Sequence, residues 1–434
     1  MTMLNFTYEI GAAMRSTLRA ATVVLGGVTL LAACGQGVTD DATEPGAGDG
    51  VTPGGSSSAS GSPDNGPSSS GGPSASSSAG GPGASSGGGS DASSTGGPSA
   101  SSGGGSDAPS SGGGSDGDPS MVGFAAHNAD GLATTTGGAG GEVVTVTSYA
   151  ELAAAVGDHA PRVVRVSGTI AAPGGVEMLD VGSNKTIIGL GASAQIDGFG
   201  FDVNGWTPDL VTAHGVTCDP DKASLFTHVS NVIIRNLTFT NSADDSVNVQ
   251  CYSHHVWVDH NTFHKSYDGS VDVKRGSDWV TVSWNHFVET DKTMLLGHDD
   301  SNGPQDSGRL HVTYHHNWFD HTVQRNPRVR FGEAHVFNNF ANELNDYFIG
   351  LGTGASVHAD GNYVDKVKRT SKGYGGTDLT WTDTNIVGET LHGGVENGQG
   401  FDPKAYYSYT PDPAADIPSM VMSQAGAGRL TGME

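Results

Sequence analysis

Positive charge is scarce in this chain. Its 434 residues carry 21 Lys and Arg against 46 Asp and Glu, a formal net charge of -25. Ten of the acidic and two of the basic residues precede Pro119, leaving 36 and 19 for the rest, a balance of -17. A phosphate backbone needs a basic footprint, so nucleic acid is excluded as a partner. A local basic strip can still act inside a negative protein, so an acidic substrate stays open. Cysteine is nearly absent, with only Cys34, Cys218 and Cys251. The apolar run Ala20–Ala33 is too short for a comfortable membrane span.

That run follows Arg15 and Arg19, the pattern of an export signal. Met14 is a more typical start than Met1, because Glu9 is out of place in a basic leading segment. The run ends Leu31-Ala32-Ala33-Cys34, which resembles a bacterial lipobox. The resemblance implies cleavage before Cys34 and lipidation of its thiol. The protein would then be secreted or cell-surface, with its membrane contact limited to that anchor. Simple cleavage near Ala33 is the plainer alternative. Export permits a disulfide between Cys218 and Cys251, and two free buried thiols are the alternative. Residues 1–34 thus read as a signal segment with lipobox, and 35–119 as a Gly/Ser/Pro-rich linker in which SSGGGSD recurs at Ser85, Ser101 and Ser110. Such a segment buries too little apolar surface to offset its ordering entropy. About 80 residues of such coil span roughly 50 Å, a flexible tether that lifts a domain off a surface.

The folded domain, 120–434, is rich in β-branched alternation and it repeats. RNLTF at Arg235, HNTF at His260, WNHF at Trp284, HNWF at His316, NNF at Asn338 and GNY at Gly361 each follow such a run. The asparagines fall at 236, 261, 285, 317, 339 and 362, with gaps of 25, 24, 32, 22 and 23. Repeats of this length built on short strands predict a solenoid. No amphipathic pattern of helix length separates them, which disfavours leucine-rich repeats and α/β folds. The fold class expected is all-β, a single-stranded parallel β-helix with an internal asparagine ladder. The gap of 32 predicts a loop insertion at Ser301–Gly308, and SYAELAAAV (Ser148–Val156) predicts a short helix capping the N-terminal end of the solenoid.

Stacking at about 4.8 Å per coil brings residues one period apart together. Asp245, Asp268, Lys292 and Arg325 are spaced by 23, 24 and 33 residues, so they should line up on one face. Asp272 would lie about 13 Å from Asp268 in a straight strand, and a bend at Asp268-Gly269 would close that distance. Clustered carboxylates repel unless neutralised, and an all-oxygen set suits Ca2+ better than zinc. Asp244 is the alternative to Asp245. Lys292, Arg325, Arg328 and Arg330 form a basic strip suited to an acidic substrate. The pairs His254-His255 and His315-His316 read as hydrogen-bonded shelf residues rather than a metal site, and Trp257 and Phe319 as stacking or core residues.

These segments resemble the pectate lyases. The likeness rests on SNKTIIGLG (Ser183–Gly191), HHVWVDHNTF (His254–Phe263), DGSVDVKRGSDWVTVSWN (Asp268–Asn285), DKTMLLGHDD (Asp291–Asp300) and VQRNPRVRFGEAHVFNN (Val323–Asn339), and extends over about residues 121–430. It implies a right-handed parallel β-helix and calcium-dependent β-elimination on polygalacturonate or pectin, by a monomer. It places the calcium carboxylates on Asp245, Asp268 and Asp272, and the substrate-binding lysine on Lys292. It places the base on Arg325 and a second substrate-binding arginine on Arg330, with Arg328 supporting. A further acidic ligand sometimes found in the family falls on Ala243, which implies a reduced ligand set. Pectin lyase, a β-helix glycoside hydrolase pairing Asp268 with Asp272, and a non-catalytic polysaccharide-binding protein are the rival readings.

Overall fold

Strands of two to eight residues, many of them ended by a single left-handed residue, wind this chain into stacked coils. The structure, a computed structural model, describes residues 120–205, 218–392 and 398–430. The signal segment, Cys34 and the linker lie outside the described residues. Three parallel sheets run the length of the solenoid, with ten, nine and nine strands among the described residues. The stacking is in register: Val256 pairs with Val232 on one side and Val280 on the other. This is the parallel β-helix that the repeats predict.

Inward positions form continuous apolar files. Phe239, Phe263, Phe287 and Phe319 stack with centroids 5.0, 5.1 and 5.3 Å apart, and all four are fully buried. Phe319 is therefore core. Trp257 is buried too, with the Arg235 guanidinium 4.6 Å above its ring. The short helix forms as Tyr149–Val156, with Ser148 accepting from the Glu151 amide. Its Leu152 and Val156 close the end of the core.

The asparagine ladder forms, with one correction. Each side-chain amide from Asn261 through Asn285, Asn317, Asn339 and Asn362 donates to the next, at 2.9–3.1 Å. The last acceptor is Asn385, which the repeat pattern missed. Asn236 is not a member. It takes the left-handed position (φ 57°) that His260, Trp284 and His316 hold in later coils, and its amide bonds the Gly189 carbonyl. Leu237 stands where the asparagine would, which is why the first gap is 25 residues instead of 24.

Ser301–Gly308 is the expected insertion and contains a short helical turn, Gly303–Asp306. Cys218 and Cys251 form a disulfide, with Cα atoms 5.4 Å apart. The histidine pairs bond to each other through Nδ1, at 2.8 Å for His254-His255 and 2.9 Å for His315-His316. Their outer nitrogens reach the His127 carbonyl and the Asp412 carboxylate, respectively from His255 and His316. This is a shelf arrangement.

Candidate active site

The site lies on the face of the second sheet, whose strands include Val247–Val249, Val271–Val273, Leu295–Leu296 and Arg328–Val329. In each strand the valines or leucine facing the core are fully buried, so alternation turns the intervening residue outward. Asn248, Asp272 and Arg328 are such residues. Asp245, Asp268, Lys292 and Arg325 sit on the turns leading into these strands.

The expected column is shifted by one residue at two places. Val247 pairs with Val271, which sets Asp245 beside Gly269. Gly269 in turn bridges to Lys292, and Lys292 to Gln324. The stacked file is therefore Asp245, Gly269, Lys292 and Gln324, with Asp268 and Arg325 each one position off it. The reason is the bend before the strand, where Ser266 Oγ donates to the carbonyls of both Asp268 and Gly269. The side chains still converge. Asp268 Oδ1 lies 3.1 Å from Lys292 Nζ and 3.7 Å from Arg325 Nη1.

Gly269 is required by the crowding. A Cβ there would sit within 2.9 Å of Asp245 Oδ1 and still nearer to the Asp272 carboxylate. Its amide donates to Asp245 Oδ1 at 2.7 Å. The Leu295 amide donates to Asp272 Oδ1 at 3.1 Å. Oxygens of Asp244, Asp245 and Asp268 come within 4.8 Å of one another, so both members of the Asp244-Asp245 pair are at the cluster, while Asp272, expected as a third ligand, borders this close group from the next strand. Asp245 is buried and held, whereas Asp244 is half-buried.

Lys274 was not singled out in the sequence. Its ammonium lies 3.0 Å from Asp245 Oδ2 and 3.6 Å from Asp272 Oδ2. Burial opposes its charge, but the two carboxylates outweigh that and hold it protonated. The signal was present: Lys274 stands two residues after Asp272, so strand alternation sends both side chains to one face. One lysine cannot balance four carboxylates. Burial, and then the neighbouring Asp245 charge, push the Asp272 carboxyl up to about 8 and the Asp244 carboxyl to about 6. An all-oxygen cluster this resistant to full ionisation fits a hard divalent cation such as calcium.

The arginines divide by environment. Arg325 is buried and adopts φ 60°, a conformation unfavourable for a residue with a Cβ. Strain held at this position aims its guanidinium at Asp268. Arg328 packs over the Tyr374 ring at 4.0 Å. Arg330 donates through Nε to Asp300 at 2.7 Å and through Nη1 to the carbonyls of Gly297 and His298. It anchors the loop beyond Leu296 as well as belonging to the basic strip.

Comparison with known proteins decides the family. The family model described as pectate lyase matches residues 118–430. The chain belongs to the pectate lyase family. These are enzymes, polysaccharide lyases, so the glycoside hydrolase and non-catalytic readings fall away. A pectate trisaccharide-lyase of Thermotoga maritima is 36% identical over 357 residues, covering 71% of this chain and 89% of that protein. One from Bacillus licheniformis is 31% identical over 337 residues, covering 72% and 88%. A pectate lyase from Bacillus sp. N165, solved in complex with trigalacturonate, matches with TM-score 0.55 and 26% identity, over 71% of this chain and 99% of that one.

Proposed function

We propose that this pectate lyase is calcium-dependent and cleaves polygalacturonate by β-elimination to give unsaturated oligogalacturonides. The observation that carries the reading is Asp268, which faces a carboxylate cluster on one side and touches both Lys292 and Arg325 on the other. Asp245, Asp268 and Asp272, with Asp244 beside them, would hold calcium. Bound there, the ion would withdraw charge from the uronate carboxylate of the substrate.

Lys292 and Arg330 bind that carboxylate and stabilise the charge that develops on it, which acidifies the C5 proton. Arg325 takes the proton. The C5–H electron pair forms the C4–C5 double bond, the C4–O bond breaks, and the departing oxygen is protonated from solvent. An arginine base is demanding, because a free guanidinium holds its proton far into the alkaline range. Substrate binding would displace the Asp268 counter-charge from Arg325. Arg328 supports the site through Tyr374.

The relatives named trisaccharide-lyases and the trigalacturonate complex support an oligouronide-binding cleft and a trisaccharide product. The Leu31-Ala32-Ala33-Cys34 segment supports export and lipid attachment at Cys34. Replacing Cys34 with alanine would then release active protein from the cell surface. The activity test is ultraviolet absorbance of the unsaturated uronate, followed with calcium and with a chelator. No calcium-dependent rise would sink the reading.

A further inference from the structure

One register column of the second sheet runs from acid to base. Asp180 pairs with Asp202, Asp202 with Asn248, and Asn248 with Asp272. Val273 pairs with Leu296, which sets Asp272 beside Leu295. Leu295 then pairs with Arg328, Arg328 with Gly350, and Gly350 with Lys372. These are eight successive rungs on the outward side of the sheet, since Leu179, Phe201, Val247, Val271, Leu296, Val329 and Ile349 beside them are buried. At about 4.8 Å per rung the column spans roughly 34 Å. Every acid on it lies before Leu295 and every base after it.

The flanking groups follow the same division. The acidic half also contains Asp244, Asp245 and Asp268, set against Lys274 and Arg275. Lys274 is engaged by Asp245 and Asp272, and Arg275 by Gln250 and His298. The basic half also contains Lys292, Arg325, Arg330 and Arg369, set against Asp300 and Asp346. One divalent cation would leave the acidic half still negative. Asp202 lies one rung from Asp180 and accepts from the side-chain amides of Asn248 and Gln250. In the basic half the floor is aromatic. A Cβ on Gly350 would meet the Tyr347 ring at 2.8 Å and Arg328 Cβ at 3.3 Å, so glycine lets that ring pack onto the rung between Arg328 and Lys372.

We infer that this polarity sets the ester pattern the cleft accepts: free uronate carboxylates over the Arg328–Lys372 half, and methyl-esterified, uncharged uronates tolerated over the Asp180–Asp202 half. The inference rests on the pectate lyase reading. A polyuronate lying along the column presents a carboxyl at each sugar. A free carboxylate gains from the guanidinium and ammonium groups of one half and is repelled by the other, whereas an ester is nearly indifferent to both.

The test is digestion of partially methyl-esterified polygalacturonate with the calcium-loaded enzyme, with esters mapped in the unsaturated fragments by mass spectrometry. Esters should be depleted about tenfold on one side of the cleaved bond and retained on the other, a discrimination typical of one good charge contact. Equal depletion on both sides would overturn the inference, because the acidic half would then be taking free carboxylates through further cations. No depletion on either side would overturn it equally. Binding in chelator supplies a readout that needs no turnover. Lys372→Gln should weaken binding of an unesterified oligogalacturonate about threefold to tenfold while leaving the fully esterified oligomer unchanged. Asp180→Asn should tighten the unesterified oligomer. Equal effects on both oligomers would contradict the inference. Failure of the lyase reading would show separately, as no absorbance rise from the wild-type enzyme on unesterified polymer.

Discussion

Asp268 Oδ1 stands 3.1 Å from Lys292 Nζ, across one coil boundary, and so ties the cation cluster to the basic strip. The same oxygen is 3.7 Å from Arg325 Nη1. One carboxylate thus restrains both cations. If Lys292 stabilises charge developing on the substrate, Lys292→Gln should lower kcat by about 10²- to 10³-fold. Arg325→Lys should abolish turnover while calcium binding, measured by titration calorimetry, stays within about twofold of wild type. Substantial residual activity in Arg325→Lys would remove Arg325 from the base role.

Lys274 is the internal counter-charge of the cluster, bridging Asp245 and Asp272. Lys274→Met would leave buried carboxylates unneutralised and should destabilise the protein by about 3 kcal/mol in chelator. Calcium should restore part of that loss, because the ion substitutes for the missing ammonium. Thermal melts with and without calcium check this. A melting temperature indifferent to calcium in the variant would contradict the placement of the cation site.

The asparagine ladder should be unforgiving. Asn317 donates to the Val282 carbonyl and to Asn339, and accepts from the side chain and backbone of Asn285. Asn317→Ala strands several buried polar groups and should cost about 2–4 kcal/mol, read from a urea melt.

Acid should destabilise the fold through its histidines. Burial pulls His254, His316 and His335 down to about 4, and holds His315 well below its ordinary value. An unfolded histidine titrates near about 6.5. These groups stay neutral in the folded state, so their stability contribution is complete above that value and is lost progressively as pH falls toward 4. Asp202, Asp272 and Asp244, pushed up to about 7, 8 and 6, act in the opposite sense; in saturating calcium, which would hold Asp272 and Asp244 ionised, Asp202 is left against the four histidines, so the melts are run in calcium. Melting temperature should therefore fall between pH 6.5 and 4; a flat profile across that window would contradict the buried neutral histidines.

Much of this was legible before the structure. The period of the asparagines carries the fold, because a ladder needs one amide per coil. The spacing of Asp245, Asp268, Lys292 and Arg325 carries the convergence of the site. What escaped was single-residue detail. Asn236 has the right residue type but occupies the left-handed position, a backbone distinction that composition does not reveal. The one-residue offsets of Asp268 and Arg325 come from the Ser266 turn and the φ 60° at Arg325. Lys274 was hidden by its neighbours: in VDVKRG it reads as an ordinary strand end until the fold places Asp245 opposite it. The acid-to-base column was invisible for another reason. Its rungs are separated by intervals of 22 to 46 residues, and only the register shows that they are consecutive.

The most direct test of the central claim is the ultraviolet absorbance of polygalacturonate incubated with the purified enzyme. With calcium present, absorbance should rise as unsaturated uronates form; chelator should stop the rise, and added calcium should restart it. No rise, or a rise that chelator leaves unchanged, would contradict a calcium-dependent elimination at the Asp244, Asp245 and Asp268 cluster beside Asp272.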